Sequence, residues 1–377
     1  MGFVPMASRD NNIPAMSMQS PPLSDSVADQ DIARPLAVDD FDRFIFIVGA
    51  PRCGTTSLAR FLKGHPAVAF PLIKEPHFFA LNDLRQLSQG ELKQRVEREY
   101  LQRFFHRDAS RRVGVDASVT YLYAPEQLEP IMRLWPDSRF VVSVRDPLAM
   151  LPSLHRRLIY VGLETIPTFA KAWAASADRA AGRRIPRKSL DSRLLRYDEA
   201  GRFSTYLERL FAVVGRERCH VQVFDDLTAD PEGQYRRLMA FAGLEPQGGV
   251  DFSPRRPGQS VRIRWLQRVL KQPPKVITDH LVRNMVETKS GIGGGKASRS
   301  LLSLRKRLLR WNRGSRPAES MPYALQTELA SELQNEIDRL GTLLNRDLTH
   351  WLQPREEAAQ EPRARRESGD FAAAPAE

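Results

Sequence analysis

The sequence predicts an α/β protein in which a central parallel β-sheet is flanked by helices. Short apolar segments typical of buried strands alternate with longer segments of helical periodicity, which favours parallel strands joined by helices. The chain has 377 residues, of which 42% are hydrophobic, and this is adequate for one large core. The predicted elements, in order, are strand 43–48, helix 55–64, strand 67–70, a polar helical stretch at 83–106, strand 113–116, helix 125–135, strand 139–144, helix 147–160, helix 201–214, strand 219–224 and helix 231–242.

The first strand leads into the most informative loop of the sequence. Residues 45–48 (IFIV) are continuously apolar, which suits a strand buried on both faces of a parallel sheet. Gly49 and Gly54 in the loop that follows allow close backbone approach or positive φ. Residues 55–57 (TTS) then open a helix, whose N-terminal N–H groups and dipole attract anions. The segment predicts a phosphate site in a P-loop-like domain, although a strand–helix turn that binds nothing has the same glycines.

The same loop makes nucleotide hydrolysis a weaker interpretation. The spacing of its two glycines matches the Walker A motif GxxxxGK[ST], but Thr55 stands where that motif has lysine. The cation of the loop comes earlier, at Arg52, and no acidic Mg²⁺ ligand is evident after a nearby strand. A nucleotide kinase or NTPase therefore stays as an alternative.

A second candidate for phosphate binding follows the strand at 139–144. Arg145 stands at the carboxyl end of this strand, where open α/β sheets bind ligands. Pro147 suits the first turn of the next helix. Arg145 and Ser153 can share a phosphate only if the loop folds back; otherwise Arg145 is expected to pair with Asp146 at the surface.

Together these segments resemble sulfotransferases that use 3′-phosphoadenosine-5′-phosphosulfate (PAPS). GAPRCGTTSL resembles their 5′-phosphosulfate loop, and the strand followed by Arg145 and Ser153 resembles the element that holds the 3′-phosphate. The resemblance covers about residues 42–353. It implies PAPS as the donor, adenosine 3′,5′-bisphosphate as the product and no metal. The cofactor-binding residues it implies are Arg52, Cys53, Gly54, Thr55, Thr56, Ser57, Arg145 and Ser153.

The third segment, residues 74–79 (KEPHFF), resembles the KExHFF segment of carbohydrate sulfotransferases of the heparan sulfate type. In those enzymes the glutamate is the general base, which implies that Glu75 takes a proton from the acceptor. Lys74 and His77 would flank Glu75 and tune its charge, and Arg52 would stabilise the leaving group. His77 remains the alternative base, and Glu75 is otherwise a loop residue that pairs with Lys74.

The predicted function is in-line transfer of a sulfuryl group from PAPS to a hydroxyl or amine, with a carbohydrate or glycolipid as the expected acceptor. A lipid, a peptide tyrosine and a small metabolite stay open. Ala117 stands where glycosaminoglycan enzymes often have lysine, which weakens the case for a heparan-like acceptor. Beside it, Asp116 and Ser118 are interpreted as acceptor-site groups, or Asp116 as a helix or turn cap.

Positive charge is concentrated in one region. The net charge is +12, and residues 251–317 contain 17 lysines and arginines against three acidic residues. The resemblance implies that this basic region covers the cofactor and borders the acceptor site, and its positive charge is expected to attract the anionic cofactor and an anionic acceptor. Its amphipathic segments 261–271 and 301–311 suit peripheral contact with an anionic membrane or ordinary packing. No nucleic acid partner is expected, but a non-catalytic binder of nucleic acid or anionic membrane is the remaining alternative function.

The chain ends and the cysteines bear on organisation and location. Residues 1–40 and 354–377 are polar and aperiodic, which predicts disordered segments around a domain at 41–353. No signal-like segment and no apolar stretch of about 18 residues is evident. Cys53 and Cys219 form no disulfide framework, so a cytoplasmic location is expected. Cys53 is interpreted as a backbone sulfate-binding position rather than a nucleophile, and Cys219 as a core residue.

Overall fold

Five parallel strands form the central sheet of the computed structural model. The structure describes residues 34–187, 189, 191–253, 260–271, 305, 307–314 and 321–354. The strands are β1 (Arg43–Gly49), β2 (Val68–Ala69), β3 (Val113–Asp116), β4 (Arg139–Val144), β5 (Cys219–Val223), β6 (Ser260–Val261) and β7 (Arg313–Gly314). The sheet order is β2–β3–β1–β4–β5, and β6 pairs separately with β7 in an antiparallel ladder.

Helices pack on both faces of this sheet. The α-helices are α1 (Thr55–Lys63), α2 (Phe78–Leu81), α3 (Gln89–Val96), α4 (Gln102–Phe104), α5 (Glu129–Leu134), α6 (Pro147–Val161), α7 (Phe169–Ala174), α8 (Ser176–Ala180), α9 (Tyr197–Ala200), α10 (Phe203–Val214), α11 (Phe224–Ala229), α12 (Pro231–Ala242), α13 (Arg264–Lys271) and α14 (Tyr323–Leu344). A π-helical turn spans Glu97–Leu101, and 3₁₀ segments span Val38–Asp40, Tyr121–Tyr123, Pro125–Leu128, Ser192–Leu195, Arg216–Arg218 and Thr349–Leu352.

The central strand β1 is buried on both faces. Phe44 and Phe46 belong to the hydrophobic cluster that includes residues of α6 and α10. Ile45 and Ile47 belong to the opposite cluster, which includes residues of α1 and α12. A strand with two covered faces needs apolar residues at every position, and this explains the uninterrupted apolar run.

The predicted parallel α/β fold is confirmed, and β3, β4 and α12 have the predicted bounds. At the start of α12 the Asp230 carboxylate accepts the Gly233 N–H at 2.9 Å, and Pro231 takes the first helical position. These are the residue types that begin helices most readily, which explains why this boundary was predictable.

Two early elements are shorter than predicted. The helical stretch expected at 83–106 begins only at Gln89, because Ser88 and Glu91 form a reciprocal capping box. The strand expected at 67–70 is limited to the two residues of β2. Pro71 follows directly after the predicted segment, and proline cannot donate to a sheet ladder.

The longest helix in the part of the chain that the structure describes, α14, was not predicted. It has 22 residues, and its buried side chains Leu329, Leu333 and Ile337 recur at helical spacing. The segment lies after the basic region and carries a polar outer face. This apolar spacing is visible in the sequence, but the last element predicted from it is the helix at 231–242.

The described residues cover the predicted domains unevenly. Leu36 and Val38 already pack in the core before residue 41, whereas residues 1–33 and 355–377 lie outside the described part. Of the basic region 251–317, only 251–253, 260–271, 305 and 307–314 are described. Among the helices that the structure describes, none is both long and apolar enough to cross a membrane.

The sheet topology brings the predicted site segments to one edge. From β1 the chain passes to β2 and β3 on one side and then to β4 and β5 on the other. The loops at the carboxyl ends of these parallel strands therefore meet around β1, where doubly wound sheets bind ligands. These loops contain residues 50–54, 70–77, 117–120 and 145–146.

Candidate functional site

The loop after β1 has the backbone shape of an anion site. Gly54 has φ 86° and is the N-cap of α1. A Cβ atom at this glycine would lie 2.7 Å from a Leu227 side-chain carbon and 3.0 Å from a Phe224 ring carbon, so only glycine fits. Arg52 also has a left-handed φ, of 67°. In the first turn of α1 the Ser57 N–H donates to the Gly54 carbonyl at 2.8 Å, whereas the N–H groups of Thr55 and Thr56 precede the first helical hydrogen bonds and are suited to bind an anion.

Ser143 on β4 fixes both ends of this loop. Its backbone carbonyl accepts the Ala50 N–H at 2.8 Å, and its hydroxyl donates to the Cys53 carbonyl. Ser143 is fully buried. The sequence analysis did not identify Ser143 as a site residue, although a single polar residue inside an apolar strand could have indicated it.

Arg52, Arg145 and Ser153 lie close together, which brings the loop after β1 next to the pair predicted to hold a phosphate. Arg52 Nε donates to Ser153 Oγ at 2.9 Å, and Arg145 Nη1 donates to the Arg52 carbonyl at 3.3 Å. The alternative surface pair between Arg145 and Asp146 does not form. Asp146 instead caps α6 by accepting the Leu148 N–H at 2.7 Å.

Phe224, at the start of α11, supports Arg145 from one side. The guanidinium carbon of Arg145 lies 4.4 Å from the centre of the Phe224 ring. The same ring also lies against Gly54, so Phe224 contacts both predicted phosphate-binding segments. Sequence reasoning assigned this residue only to a strand end.

Two further arginines extend the positive charge along α6. Arg156 and Arg157 follow Ser153 by three and four residues, so they share its helical face. Burial, and then the charges of Arg157, Arg145 and Arg156, lower the pKa of Arg52. Within the described residues, no carboxylate forms an ion pair with Arg145, Arg156 or Arg157. The cluster therefore carries positive charge that a bound anion would balance. In the sequence, the only indication of Arg156 and Arg157 as site residues is their helical spacing from Ser153.

Glu75 lies beside the loop after β1. Lys74 Nζ is 2.6 Å from Glu75 Oε1 and 3.4 Å from Thr56 Oγ1, so Lys74 connects the base candidate with the first turn of α1. His77 Nε2 lies 3.6 Å from Glu75 Oε2. The predicted pairing of Glu75 with Lys74 is present, and it places the carboxylate at the predicted phosphate loop rather than in an isolated surface loop.

His77 is held by the loop after β3. Its backbone N–H donates to Ser118 Oγ at 2.9 Å, and its Nδ1 lies 2.9 Å from Thr120 Oγ1. His77 itself has a left-handed φ of 55° and precedes α2. These contacts direct the ring so that its other nitrogen faces Glu75.

Asp116 and Ser118 do not have the roles expected of them. Both side chains are fully buried, so they offer no surface to an acceptor. Asp116 is not a helix or turn cap either, because its oxygens accept the hydroxyls of Ser118, Tyr121 and Tyr100.

The cysteines are buried thiols. Cys53 is fully enclosed, and burial raises its pKa well above its ordinary value, which fits a backbone role in the loop and not a nucleophile. Burial also raises the pKa of Cys219 to about 12. Among the described residues, no group of three or more histidine, cysteine, aspartate and glutamate side chains has the arrangement of a metal site.

Comparison with known proteins identifies the family and the fold. The chain matches the model of the sulfotransferase family over residues 44–247, more than half of its length. It is similar to the crystal structure of a sulfotransferase from Alicyclobacillus acidocaldarius, with 23% identity and a TM-score of 0.53, covering 85% of this chain and 100% of that chain. It is also similar to a sulfotransferase domain from the curacin biosynthetic pathway, with 17% identity and a TM-score of 0.37, covering 84% and 100% of the two chains. A search among curated proteins found no match.

The structural similarity to the Alicyclobacillus protein confirms the P-loop-like α/β fold. The family match includes the loop after β1, the KEPHFF segment and the start of α6 with Arg145 and Ser153. The chain therefore belongs to the sulfotransferase family.

Proposed function

We propose that this sulfotransferase moves a sulfuryl group from PAPS to a hydroxyl or amine of its acceptor, with Glu75 as the general base. The carrying observation is the position of Lys74, between Glu75 Oε1 at 2.6 Å and Thr56 Oγ1 at 3.4 Å. The base segment and the expected 5′-phosphosulfate loop lie side by side. Such proximity is what transfer between two bound reactants requires.

The donor groups at this edge fit a cofactor with two anionic ends. The first turn of α1, with Thr55, Thr56 and Ser57, suits the phosphosulfate end. Arg145 and Ser153 suit the 3′-phosphate, and Arg156 and Arg157 add charge beside them. When bound, PAPS supplies the sulfuryl group, and adenosine 3′,5′-bisphosphate is the other product.

Arg52 and Lys74 are proposed to stabilise the negative charge that develops on the leaving phosphate. Both lie at the loop after β1, and Arg52 spans the distance from this loop to Ser153. Removing one preorganised donor of this kind typically costs ~2.7–4 kcal/mol of transition-state stabilisation. Arginine stays protonated, so Arg52 acts as a fixed charge and not as a proton donor. Cys53 contributes its backbone only.

Glu75 is preferred to His77 as the base. One ring nitrogen of His77 is occupied by Thr120, and the other faces Glu75. Glu75 keeps 32% of its side chain exposed, so an acceptor can reach it. His77 then supports the carboxylate, and it remains the alternative base if Glu75 proves dispensable.

The acceptor is proposed to be a carbohydrate or a glycolipid. The support is the KEPHFF segment, together with the exposed apolar side chains Ile73 and Leu81 next to it, which suit a sugar face or a lipid chain. A cytoplasmic location and peripheral contact with an anionic membrane stay predictions. Family membership argues against the kinase and the non-catalytic binder.

Calorimetry tests the cofactor first. We expect micromolar binding of adenosine 3′,5′-bisphosphate and much weaker binding of 5′-AMP, ADP and Mg·ATP. A preference for Mg·ATP, or indifference to the 3′-phosphate, would overturn the proposed function.

Release of the bisphosphate from PAPS then tests the acceptor. The panel contains glucosamine, a uronic acid disaccharide, a phenol and an aliphatic amine, with water as the background. Fastest turnover with a sugar supports the carbohydrate proposal. Fastest turnover with the phenol would overturn that part and leave the donor assignment intact.

A further inference from the structure

The carboxylate of Asp116 is buried beneath the base segment and has only hydroxyl partners among the described residues. It accepts hydrogen bonds from Ser118 Oγ at 2.6 Å, Tyr121 Oη at 2.8 Å and Tyr100 Oη at 2.9 Å. Burial raises its pKa, although the three donors and, to a smaller extent, a charge on the nearby His77 oppose that shift. A buried carboxylate without a cation partner is costly and needs a reason.

Two of these hydroxyls also hold the backbone of the base segment. Ser118 Oγ accepts the His77 N–H at 2.9 Å, and Tyr121 Oη accepts the Phe79 N–H at 3.4 Å. A hydroxyl has one proton, and here each donates it to Asp116. Its lone pairs are therefore left to accept from the backbone. Tyr100 differs, because its hydroxyl has no such second partner in the described chain.

His77 needs this support because of its conformation. A left-handed φ of 55° is unusual for a residue with a side chain and persists only where the surroundings impose it. Ser118 fixes the backbone of His77, and Thr120 fixes its ring. Both belong to the loop after β3, and together they set the 3.6 Å approach of Nε2 to Glu75.

We propose that Asp116 is a positioning residue for proton removal: through Ser118 it holds His77, and through His77 it orients Glu75. The inference rests on the proposed role of Glu75. In the step itself the proton moves from the acceptor hydroxyl or amine to the Glu75 carboxylate while the new bond forms between the acceptor and sulfur. The bond from sulfur to the 5′-phosphate oxygen of the donor breaks in the same step, and adenosine 3′,5′-bisphosphate leaves with that electron pair. Asp116 gains and loses no proton.

Ser118→Ala and Tyr100→Phe form a matched pair. Each removes one hydroxyl that donates to Asp116, but only Ser118 also holds His77. With the fastest acceptor of the panel, we expect kcat to fall about 10- to 100-fold in Ser118→Ala, as for a small misplacement of reacting groups. In Tyr100→Phe, kcat should stay within about threefold of the parent protein. The Kd for adenosine 3′,5′-bisphosphate should stay within about twofold in both.

Asp116→Asn is the second variant, in case Ser118→Ala folds poorly. The amide keeps the shape but can no longer accept from all three hydroxyls, so kcat should again fall without loss of bisphosphate binding. Thermal midpoints of all three variants are recorded alongside. Equal losses of kcat in Ser118→Ala and Tyr100→Phe, or no loss in either, would overturn the positioning role. If the parent protein itself does not bind the bisphosphate, the proposed function fails instead. If Glu75→Gln turns over normally, the base role passes to His77 and the positioning of Glu75 has no part in the reaction.

Discussion

The two oxygens of Glu75 have different surroundings. Oε1 is held by Lys74 at 2.6 Å, whereas Oε2 faces His77 at 3.6 Å, beyond hydrogen-bond distance. We therefore expect Oε2 to take the proton of the acceptor. Lys74 keeps the carboxylate beside the loop after β1, and His77 limits its rotation. In this arrangement Oε1 fixes the position of the carboxylate, and Oε2 is the oxygen expected to react.

Glu75→Gln should remove turnover and spare cofactor binding. The amide keeps the size of the side chain but cannot accept a proton, so kcat should fall by about 10²- to 10⁴-fold. The Kd for adenosine 3′,5′-bisphosphate should change by less than about twofold. Steady-state kinetics and calorimetry check the two parts, and a variant with normal kcat would transfer the base role to His77.

Arg145→Ala should weaken binding specifically at the 3′-phosphate. Hydrogen bonds to charged groups contribute about 1.5–3 kcal/mol, so affinity for adenosine 3′,5′-bisphosphate should fall roughly 10- to 150-fold. Affinity for adenosine 5′-phosphosulfate, which lacks that phosphate, should change little. Arg209→Ala, which removes an exposed arginine paired with Glu126, is the control. Equal weakening of both ligands would contradict the 3′-phosphate role.

Individual residues were predictable where local chemistry sets their role. Glu75 and Lys74 are adjacent in sequence, and Gly54 is demanded by the turn that begins α1. The prediction for Asp116 was wrong because its hydrogen-bond partners come together only in the folded protein. Ser118 is close to Asp116 in the sequence, but Tyr100 is distant from both. No pattern in the sequence shows that a carboxylate at a strand end points inward.

At the scale of elements, α6 supplies much of the charge at the site. Its start was predicted from Pro147, which suits the first turn, and the structure adds Asp146 as the N-cap. In the second half of α6, Arg156 and Arg157 lie about one turn after Ser153, on the same helical face. Helical spacing makes this face readable from sequence, but only the structure shows that Arg52 reaches across to it.

Arg157→Ala should weaken bisphosphate binding by less than Arg145→Ala does, because Arg157 is exposed and screened by salt. We expect a loss of roughly two- to fivefold at low salt, consistent with about 0–1 kcal/mol for an exposed charge. Titrations at several salt concentrations check this, and the loss should shrink as salt rises. Arg183→Ala, an exposed arginine that pairs with Asp178, is the matched control. A loss independent of salt would contradict a purely electrostatic contribution.

At the scale of the molecule, the last described elements reach back to the site. Arg346 Nη1 donates to Asp226 Oδ2 at 2.6 Å, and Trp351 Nε1 donates to Asp225 Oδ2 at 2.7 Å. Both carboxylates lie on α11, whose first residue, Phe224, supports Arg145. The sequence prediction extended the domain to residue 353 without assigning α14. These contacts show why the segment that follows α14 belongs with the sheet edge.

Glu336 is a buried polar link between α14 and α10. Its carboxylate accepts the Ser204 and Thr205 hydroxyls, at 2.5 and 2.6 Å, and the Thr205 N–H at 3.2 Å. Burial alone would raise the pKa of Glu336, but these donors outweigh it and the pKa is lowered. The folded protein therefore binds this proton less readily than the unfolded chain. The resulting stabilisation is complete above the ordinary glutamate pKa and is lost as the pH falls through the lowered value.

Glu336→Gln should accordingly destabilise the protein in a pH-dependent way. At pH 7 the free energy of unfolding should fall by about 1.5–3 kcal/mol, the usual contribution of a hydrogen bond to a charged group. As the pH falls through the lowered pKa of Glu336 and the parent carboxylate becomes protonated, the two proteins should converge in stability. Urea unfolding at neutral and acidic pH measures the difference. Glu332→Gln, one turn earlier and exposed, should show no such convergence. A difference that stays constant with pH would mean that the hydroxyls of Ser204 and Thr205 need only an acceptor in that place, and not a charge.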